Sequence, residues 1–176
     1  MTPATYSACE KLRDGRSIEI RALRPDDEAD MLAAIDRTAV ESLRRRFFVT
    51  KRGFSEKEKD FFLNVDFANH VALVAAIDED GQRTIVGGGR YIVTEPGKAE
   101  VAFVVIDAYQ GQGIGATLTR HLVSLARAAR LNELAADVLP ENAAMRTVLG
   151  KYGFQARRSG DPQVIHMTML LTESSQ

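Results

Sequence analysis

The pattern of apolar and polar residues predicts that the chain opens with a strand followed by a helix. Apolar residues alternate with polar ones from Ser17 to Leu23, which is the period of a half-buried strand. A Pro-Asp-Asp run at 25–27 then begins a helix through Asp36, because the helix dipole favours acidic residues in the first turn. Residues 1–16 show no such pattern, and we expect them to be a flexible N-terminal segment.

Two more helices are predicted before the main sheet, at Thr38–Phe48 and Ser55–Val65. In the second, Ser55 is followed three residues later by Glu58, which is the spacing of a capping box. Three runs rich in β-branched residues come next, separated by the turn sequences Asp-Glu-Asp-Gly and Glu-Pro-Gly, and they predict an antiparallel meander. These predicted strands are Val71–Ile77, Thr84–Thr94 and Glu100–Ile106.

The rest of the chain predicts a strand–helix–strand unit followed by another helix and a last strand. Apolar residues recur at helical spacing after the third strand, and Gly153 fits the C-terminal cap of the later helix. The predicted elements are a helix at 113–130, a strand at 134–139, a helix at 142–152 and a strand at 164–171. We therefore expect an α+β fold, with a mixed, mostly antiparallel central sheet flanked by helices in one domain at 17–172.

Composition limits the partners and the location. The 176 residues carry 23 Lys and Arg against 24 Asp and Glu, so no overall field favours nucleic acid or an anionic membrane. The single cysteine, Cys9, argues against a disulfide framework, and no apolar run approaches the ~20 residues that span a bilayer. The first ten residues carry no leader pattern, and we expect a cytoplasmic protein.

The most informative segment joins the strand 100–106 to the helix 113–130. It reads Gln110-Gly111-Gln112-Gly113-Ile114-Gly115-Ala116. Glycine lets the backbone turn sharply and approach a ligand closely, and the unpaired N–H groups of a new helix favour an anion. The turn is suited to a pyrophosphate, although glycines needed only for packing are the simpler alternative.

Two other nucleotide-binding motifs share part of this pattern. Gly111, Gly113 and Ala116 also satisfy the dinucleotide fingerprint G-x-G-x-x-A, with Glu141 as the acidic ribose ligand, which would make the chain an oxidoreductase. That fingerprint opens a parallel doubly wound sheet, whereas here it ends an antiparallel meander. A nucleoside-triphosphate loop is excluded, because no Lys-Ser or Lys-Thr follows Gly115.

With these residues the turn resembles motif A of the GNAT acetyltransferase superfamily. The signature Gln/Arg-x-x-Gly-x-Gly/Ala is matched by Gln110, Gly113 and Gly115. The segments 139–145 and 152–154 resemble the family's next strand, its asparagine-led helix and its terminal Gly-Phe. The runs at 44–48, 70–75 and 100–105 are similar to the acetyltransferase domain of Pat-type bacterial protein lysine acetyltransferases.

The resemblance implies that the chain binds acetyl-CoA and transfers the acetyl group to a primary amine of a protein lysine or a small molecule. It implies a splayed strand pair, opened at a bulge, in which one strand pairs with the pantetheine arm and the N–H of Val104 or Val105 polarises the thioester carbonyl. We expect no metal, and because small members of the superfamily are often dimers, a homodimer is one expected assembly. The residues expected to bind the cofactor are Val104, Val105, Ile106, Gln110, Gly111, Gln112, Gly113, Ile114, Gly115, Ala116 and Asn142.

Glu100 is the candidate general base. An acceptor lysine has a reference pKa near ~10.4, so a base must remove a proton before the amine can attack a thioester at neutral pH. The strand period of two places Glu100 on the same face as Ala102 and Val104, and the resemblance implies a glutamate at this place. A solvated carboxylate at the strand edge is the alternative interpretation.

One position departs from the superfamily pattern. Many members carry a tyrosine general acid seven residues after the asparagine, and this chain has Leu149 there. The departure keeps open a second hypothesis, a CoA-binding sensor module without turnover, although a thiol with a pKa near ~8.5 can also be protonated by water. His70, His121 and His166 show no metal-ligand spacing, and we expect each to have an ordinary partner.

Overall fold

The computed structural model describes residues 2–37 and 55–171, and one sheet of eight strands runs through them. The strands are β1 (Ser7–Lys11), β2 (Ser17–Ala22), β3 (His70–Glu79), β4 (Gln82–Glu95), β5 (Lys98–Val105), β6 (Glu133–Val138), β7 (Gln155–Arg157) and β8 (Ile165–Leu170). Their order in the sheet is β1-β2-β3-β4-β5-β6-β8-β7. The pair β5–β6 is parallel and the other pairs are antiparallel, so the predicted α+β architecture and its meander are confirmed.

Four α-helices lie in the described part of the chain. They are α1 (Glu28–Asp36), α2 (Glu56–Leu63), α3 (Ile114–Ala128) and α4 (Ala143–Lys151). The capping box predicted for α2 is confirmed, because Glu58 donates its N–H to the Ser55 hydroxyl and accepts the N–H of Ser55 through its carboxylate. The helix predicted at Thr38–Phe48 lies outside the described residues. None of the helices described is both long and apolar enough to cross a membrane.

Two short strands were not expected from the sequence. β1 lies inside residues 1–16, the segment expected to be flexible, and pairs in register with β2 from Ser7↔Arg21 to Lys11↔Ser17. The following Leu12 is only 6% exposed and joins the main core. β7 is exposed at all three positions and pairs only with β8. Both strands are polar, so their conformation depends on a neighbouring strand and not on their own pattern.

The helices cover both faces of the sheet. The stripe on α3 formed by Leu118, Leu122 and Leu125 is buried against one face, in the main core, which also contains Leu149 of α4. A smaller cluster on the opposite face includes Ala72 and Val74 of β3, with Met31 and Ala34 of α1 packed against it. Alternate residues of β3 therefore belong to different cores, as the strand period requires.

A buried ion pair joins β2 to the start of α1. The Arg21 guanidinium donates to both carboxylate oxygens of Asp27 at 2.8 Å, and the two side chains are 9% and 7% exposed. Asp27 also accepts the backbone N–H of Arg24 at 2.7 Å. Burial by itself raises the pKa of Asp27, but the hydrogen bonds from Arg21 and Arg24 outweigh it and hold that pKa below its ordinary value. The pair fixes the direction in which the chain enters α1.

Candidate active site

A gap opens in the sheet where β5 and β6 stop pairing. The two strands pair only from Lys98↔Glu133 to Glu100↔Ala135. Beyond Glu100, β5 continues with β4 on its other side, and β6 continues with β8. The predicted splay is therefore confirmed. The register of β5 with β4 is unbroken from Ala99 to Val105, so the splay arises where the β5–β6 pairing ends and not at the implied bulge in β5.

The backbone of Val105 faces this gap. Ile106 donates its N–H to the carbonyl of Val86 on β4 at 2.9 Å. Because hydrogen-bonded and non-hydrogen-bonded pairs alternate along an antiparallel ladder, the N–H of Val104 also points to β4, and that of Val105 points away from it. The carbonyl of Val105 accepts from the side-chain amide of Gln110 at 3.0 Å, on the same side. Of the two amides considered for the thioester, only that of Val105 points into the gap.

The glycine-rich turn connects β5 to α3 at the end of the gap. Gly111 and Gly113 have φ angles of 77° and 90°, the left-handed region that favours glycine. Gly113 is the N-cap of α3, and its carbonyl accepts the N–H of Thr117 at 3.0 Å. The first N–H groups of a helix have no partner within the helix, so the amides at the start of α3 are available to an anion. Ile114, 1% exposed, anchors the turn in the core.

Tyr109 holds the turn against the end of β3. Its hydroxyl donates to Glu79 at 2.9 Å, and the guanidinium groups of Arg16 and Arg37 lie 5.3 and 5.9 Å from its ring centroid. The Arg37 guanidinium bonds both oxygens of Glu79 and is the main cause that lowers the pKa of this carboxyl to about 2. The turn is therefore fixed by an ion pair as well as by apolar packing.

Replacing Glu79 by glutamine is expected to reduce the free energy of unfolding at neutral pH. The variant should also lose less of that free energy than wild type as the pH falls from 4.5 toward 2. The folded-state pKa of about 2 lies below the ordinary 4.5, so the stabilisation by this carboxylate is complete above pH 4.5 and is lost as the pH falls toward 2. The difference in unfolding free energy between wild type and Glu79→Gln, from urea titrations, should shrink over this range. The effect is modest because the Arg37 and Glu79 side chains are 38% and 29% exposed. A difference independent of pH would contradict this assignment.

The β1–β2 hairpin adds two arginines that the sequence analysis missed. Nε of Arg13 lies 3.7 Å from the position that a Cβ would occupy at Gly113. Arg16 donates to the side-chain oxygen of Gln112 at 2.9 Å and pairs with Asp14. Both arginines lie in the segment expected to be flexible, and they reach the turn only because β1 pairs with β2. A cation beside the positive end of a helix adds to an anion-binding surface.

Asn142 is the N-cap of α4 and lies on the other border of the site. Its side-chain oxygen accepts the N–H of Met145 at 3.3 Å, while its NH₂ group is not used by this cap. Cε of Met145 lies 3.7 Å from the Cβ position of Gly115. The first turns of α3 and α4 therefore approach each other.

Glu100 stands at the point where the gap begins. It is exposed, whereas its neighbours Ala99 and Val101 are 1% and 4% exposed on the opposite face. On the face of Glu100, Ala102 and Val104 line a mainly apolar cavity of about 80 Å³ between the sheet and the helices α1 and α2. The cavity also has Met31, Ile35, Phe62, Val74, Ile85 and Arg90 in its wall. Glu100 and this cavity thus share one face of the sheet.

Leu149 and the three histidines lie in surroundings that give them no part in the site described so far. Leu149, where many family members have a tyrosine, is 0% exposed and belongs to the core, so its side chain neither reaches the gap nor carries a proton. Each of the three histidines has a polar partner: Arg90 for His70, Tyr6 and Glu10 for His121, and Asp137 for His166. The described residues include no group of His, Cys, Asp or Glu placed to hold a metal ion.

A strand pair that diverges beside a glycine-rich helix N-terminus is what the resemblance to acyl-CoA-dependent acyltransferases implied. A family model described as Acetyltransferase (GNAT) domain matches residues 17–155. The chain belongs to this GNAT acetyltransferase family, and it is an acyl-CoA-dependent acetyltransferase. The alternative of a dinucleotide-dependent oxidoreductase is therefore wrong.

Individual relatives agree with this assignment. The Pseudomonas aeruginosa protein Acetyltransferase PA5475 is 34% identical over 164 residues, which cover 92% of this chain and 88% of the relative. The crystal structure of the GNAT domain of S. lividans PAT is 30% identical, with a TM-score of 0.86 and coverage of 94% of this chain and 97% of that one. Acetyltransferase Pat of Mycolicibacterium smegmatis is 29% identical over 145 residues, and the match covers 81% of this chain but 43% of that protein. The resemblance to Pat-type enzymes is confirmed.

Proposed function

We propose that this protein transfers the acetyl group of acetyl-CoA to a primary amine by direct attack, with Glu100 as the general base. The observation that carries the proposal is the position of Glu100 at the last β5–β6 pair, where the gap starts and the cavity face begins. The acceptor is a protein lysine or a small-molecule amine, since both present the same nucleophile. The Pat-type likeness supports the lysine.

The proposed cofactor site follows the gap from the turn to Glu100. The pyrophosphate lies at the backbone amides of residues 111–116, where the dipole of α3 and the Arg13 guanidinium favour negative charge. The pantetheine arm lies between β5 and β6, with Asn142 on its other side. The thioester carbonyl accepts the N–H of Val105, which polarises it toward attack. Glu100 takes a proton from the acceptor ammonium, so that a neutral amine forms the new C–N bond.

Acetyl-CoA binding is the first test. The melting temperature of the purified protein should rise with acetyl-CoA and with free CoA, and should not change with NADH or NADPH. A ligand at 100 times its Kd stabilises a protein by about 2.7 kcal/mol, which corresponds to a rise of roughly 5–10 °C for a domain of this size. A rise with the nicotinamide cofactors alone would remove the proposal. Turnover is then measured by release of the CoA thiol with a lysine-containing peptide and with n-butylamine.

Replacing Gly115 by valine is expected to weaken acetyl-CoA binding about 10- to 100-fold while the fold is retained. A Cβ at Gly115 is 3.7 Å from Met145, an ordinary contact, but the larger side chain keeps a ligand away from the amides at the start of α3. Loss of one or more charge-assisted hydrogen bonds, at about 1.5–3 kcal/mol each, corresponds to that change in Kd. Calorimetric titration with acetyl-CoA measures it.

Gly150→Val is the matched control for this substitution. Gly150 lies on α4, and a Cβ there meets no atom within 4 Å, so the same replacement should leave acetyl-CoA affinity unchanged. Gly113 is less suitable for this test, because its φ of 90° makes any side chain there strained. Equal affinity in Gly115→Val and wild type would show that the phosphates bind elsewhere.

A further inference from the structure

A histidine–aspartate pair lies on the β6 side of the gap and has no role in the mechanism above. Asp137 on β6 and His166 on β8 are directly opposite each other in the antiparallel register. Nδ1 of His166 is 2.7 Å from Oδ1 of Asp137, and each side chain is 36% exposed. Because a carboxylate only accepts hydrogen bonds, Nδ1 of a neutral imidazole carries the hydrogen, and Nε2 presents its lone pair.

This pair shares a face of the sheet with Glu100. Glu100 and Ala135 are partners across the parallel strands, and such partners point to the same side. Asp137 is two residues beyond Ala135 and keeps that face, whereas Ala136 between them is 3% exposed on the other face. The β5–β6 pairing has ended by Asp137, so Asp137 borders the gap, and its hydrogen bond directs Nδ1 of His166 toward β6.

The chemistry calls for a second acid–base group on this side. Two protons leave the acceptor nitrogen during acetyl transfer, one from the ammonium before attack and one after the C–N bond has formed, while the departing sulfur gains a proton. Glu100 accounts for the first proton. Leu149 cannot donate a proton to the departing sulfur, because its side chain has no ionisable group and is buried in the core.

We propose that His166 is this second acid–base group, an inference that rests on the proposed function. Once Glu100 holds the ammonium proton, the amine lone pair forms a bond to the thioester carbon, and the carbonyl π pair moves onto oxygen. Nε2 of His166 takes the second proton from nitrogen. The oxyanion then re-forms the carbonyl, the C–S bond breaks with its electron pair on sulfur, and His166 gives its proton to sulfur. The products are the amide and the CoA thiol, and the proton on Glu100 passes to water.

Asp137 is a positioning residue in this scheme. Its carboxylate accepts the Nδ1 hydrogen, which selects the tautomer with Nε2 free and fixes the ring direction. An asparagine at this position can donate to Nδ1 and so favours the opposite tautomer. Asp137→Asn should therefore lower kcat while His166 itself is intact.

Kinetics of His166 variants, with acetyl-CoA as donor and a lysine-containing peptide or n-butylamine as acceptor, test the proposal. His166→Gln is expected to lower kcat about 100-fold, the usual contribution of a positioned acid–base group, with the KM for acetyl-CoA within about threefold of wild type. In His166→Ala, added imidazole should restore part of the lost rate, which a structural role does not predict. Thr168→Val is the control, since Thr168 lies two residues after His166 on β8 and on the same face of the sheet.

Four results are decisive. A loss of kcat that imidazole partly restores, with Thr168→Val unaffected, supports the proposal. A kcat within about threefold of wild type in His166→Gln overturns it, as does a loss in His166→Ala that imidazole leaves unchanged. If the wild-type protein neither binds acetyl-CoA nor releases thiol with any amine, the proposed function fails instead, and this is seen before any variant is made.

Discussion

Replacing Glu100 by glutamine is expected to lower kcat for amine acetylation about 100- to 1000-fold, with little change in the KM for acetyl-CoA. The amide has the shape of the carboxylate but cannot accept a proton, so the acceptor must reach the site already neutral. Below the ammonium pKa of ~10.4, the fraction of neutral amine rises about tenfold for each pH unit. The residual kcat/KM of Glu100→Gln should therefore increase steadily with pH, and thiol release over pH 7–9 measures it.

Glu133→Gln provides the matched control for this experiment. Glu133 lies on β6, two residues before Ala135, and faces the same side of the sheet as Glu100, but it is at the end of the β5–β6 pairing remote from the gap. The same chemical change there should leave kcat and its pH dependence as in wild type. Equal kcat and equal pH profiles in Glu100→Gln and Glu133→Gln would show that Glu100 is only a surface carboxylate.

Replacing Asp27 by asparagine is expected to destabilise the fold by about 3–5 kcal/mol. The substitution leaves the Arg21 guanidinium buried without a charged partner, because both members of this pair are less than a tenth exposed. The melting temperature of a domain of this size should fall by roughly 6–20 °C. Urea unfolding at neutral pH measures the free energy directly, and Asp14→Asn, which breaks the exposed Asp14–Arg16 pair, should leave it unchanged.

The double variant Arg21→Leu, Asp27→Leu separates the loss of the pair from the loss of one partner. An apolar replacement of both charges can recover much of the stability, because no buried charge remains unpaired. If Asp27→Asn is as stable as wild type, the Arg21 guanidinium is reaching water in solution. If the double variant is as unstable as the single one, the hydrogen bond that the Arg24 backbone N–H donates to the Asp27 carboxylate is the important contact.

The sequence predicts well those elements whose own apolar and polar residues alternate with the period of a buried strand or helix. The runs that form β3 to β5 are rich in β-branched residues, and α3 carries its stripe of leucines. The sequence of each element therefore predicts both its type and its buried face. Ser55 and Glu58 likewise mark the start of α2 through a contact within four residues. β1 and β7 carry polar residues whose partners are other strands, and no local pattern identifies them.

The same distinction applies to the site. The residues of the glycine-rich turn are contiguous, and the turn chemistry alone identifies them. The position of Arg13 beside Gly113 depends on the β1–β2 pairing, and that of His166 beside Asp137 depends on the register of two strands remote in sequence. The choice between the amides of Val104 and Val105 required the β4–β5 register as well. Predicting these contacts requires strand pairings that the chain's local pattern does not specify.

The gap between β5 and β6 also determines what shape of ligand the sheet accepts. The backbone groups of β5 that point into the gap form a sheet edge inside the molecule, and such edges elsewhere invite pairing with another polypeptide. Here the β5–β6 pairing from Lys98 to Glu100 closes one end of the gap, so only the part of the edge beyond Glu100 is not paired with β6. In the proposed function, the pantetheine arm, an unbranched chain with spaced amide groups, pairs with that part of the edge. The geometry by which sheets elsewhere add a strand thus serves, in the proposed function, to bind a cofactor.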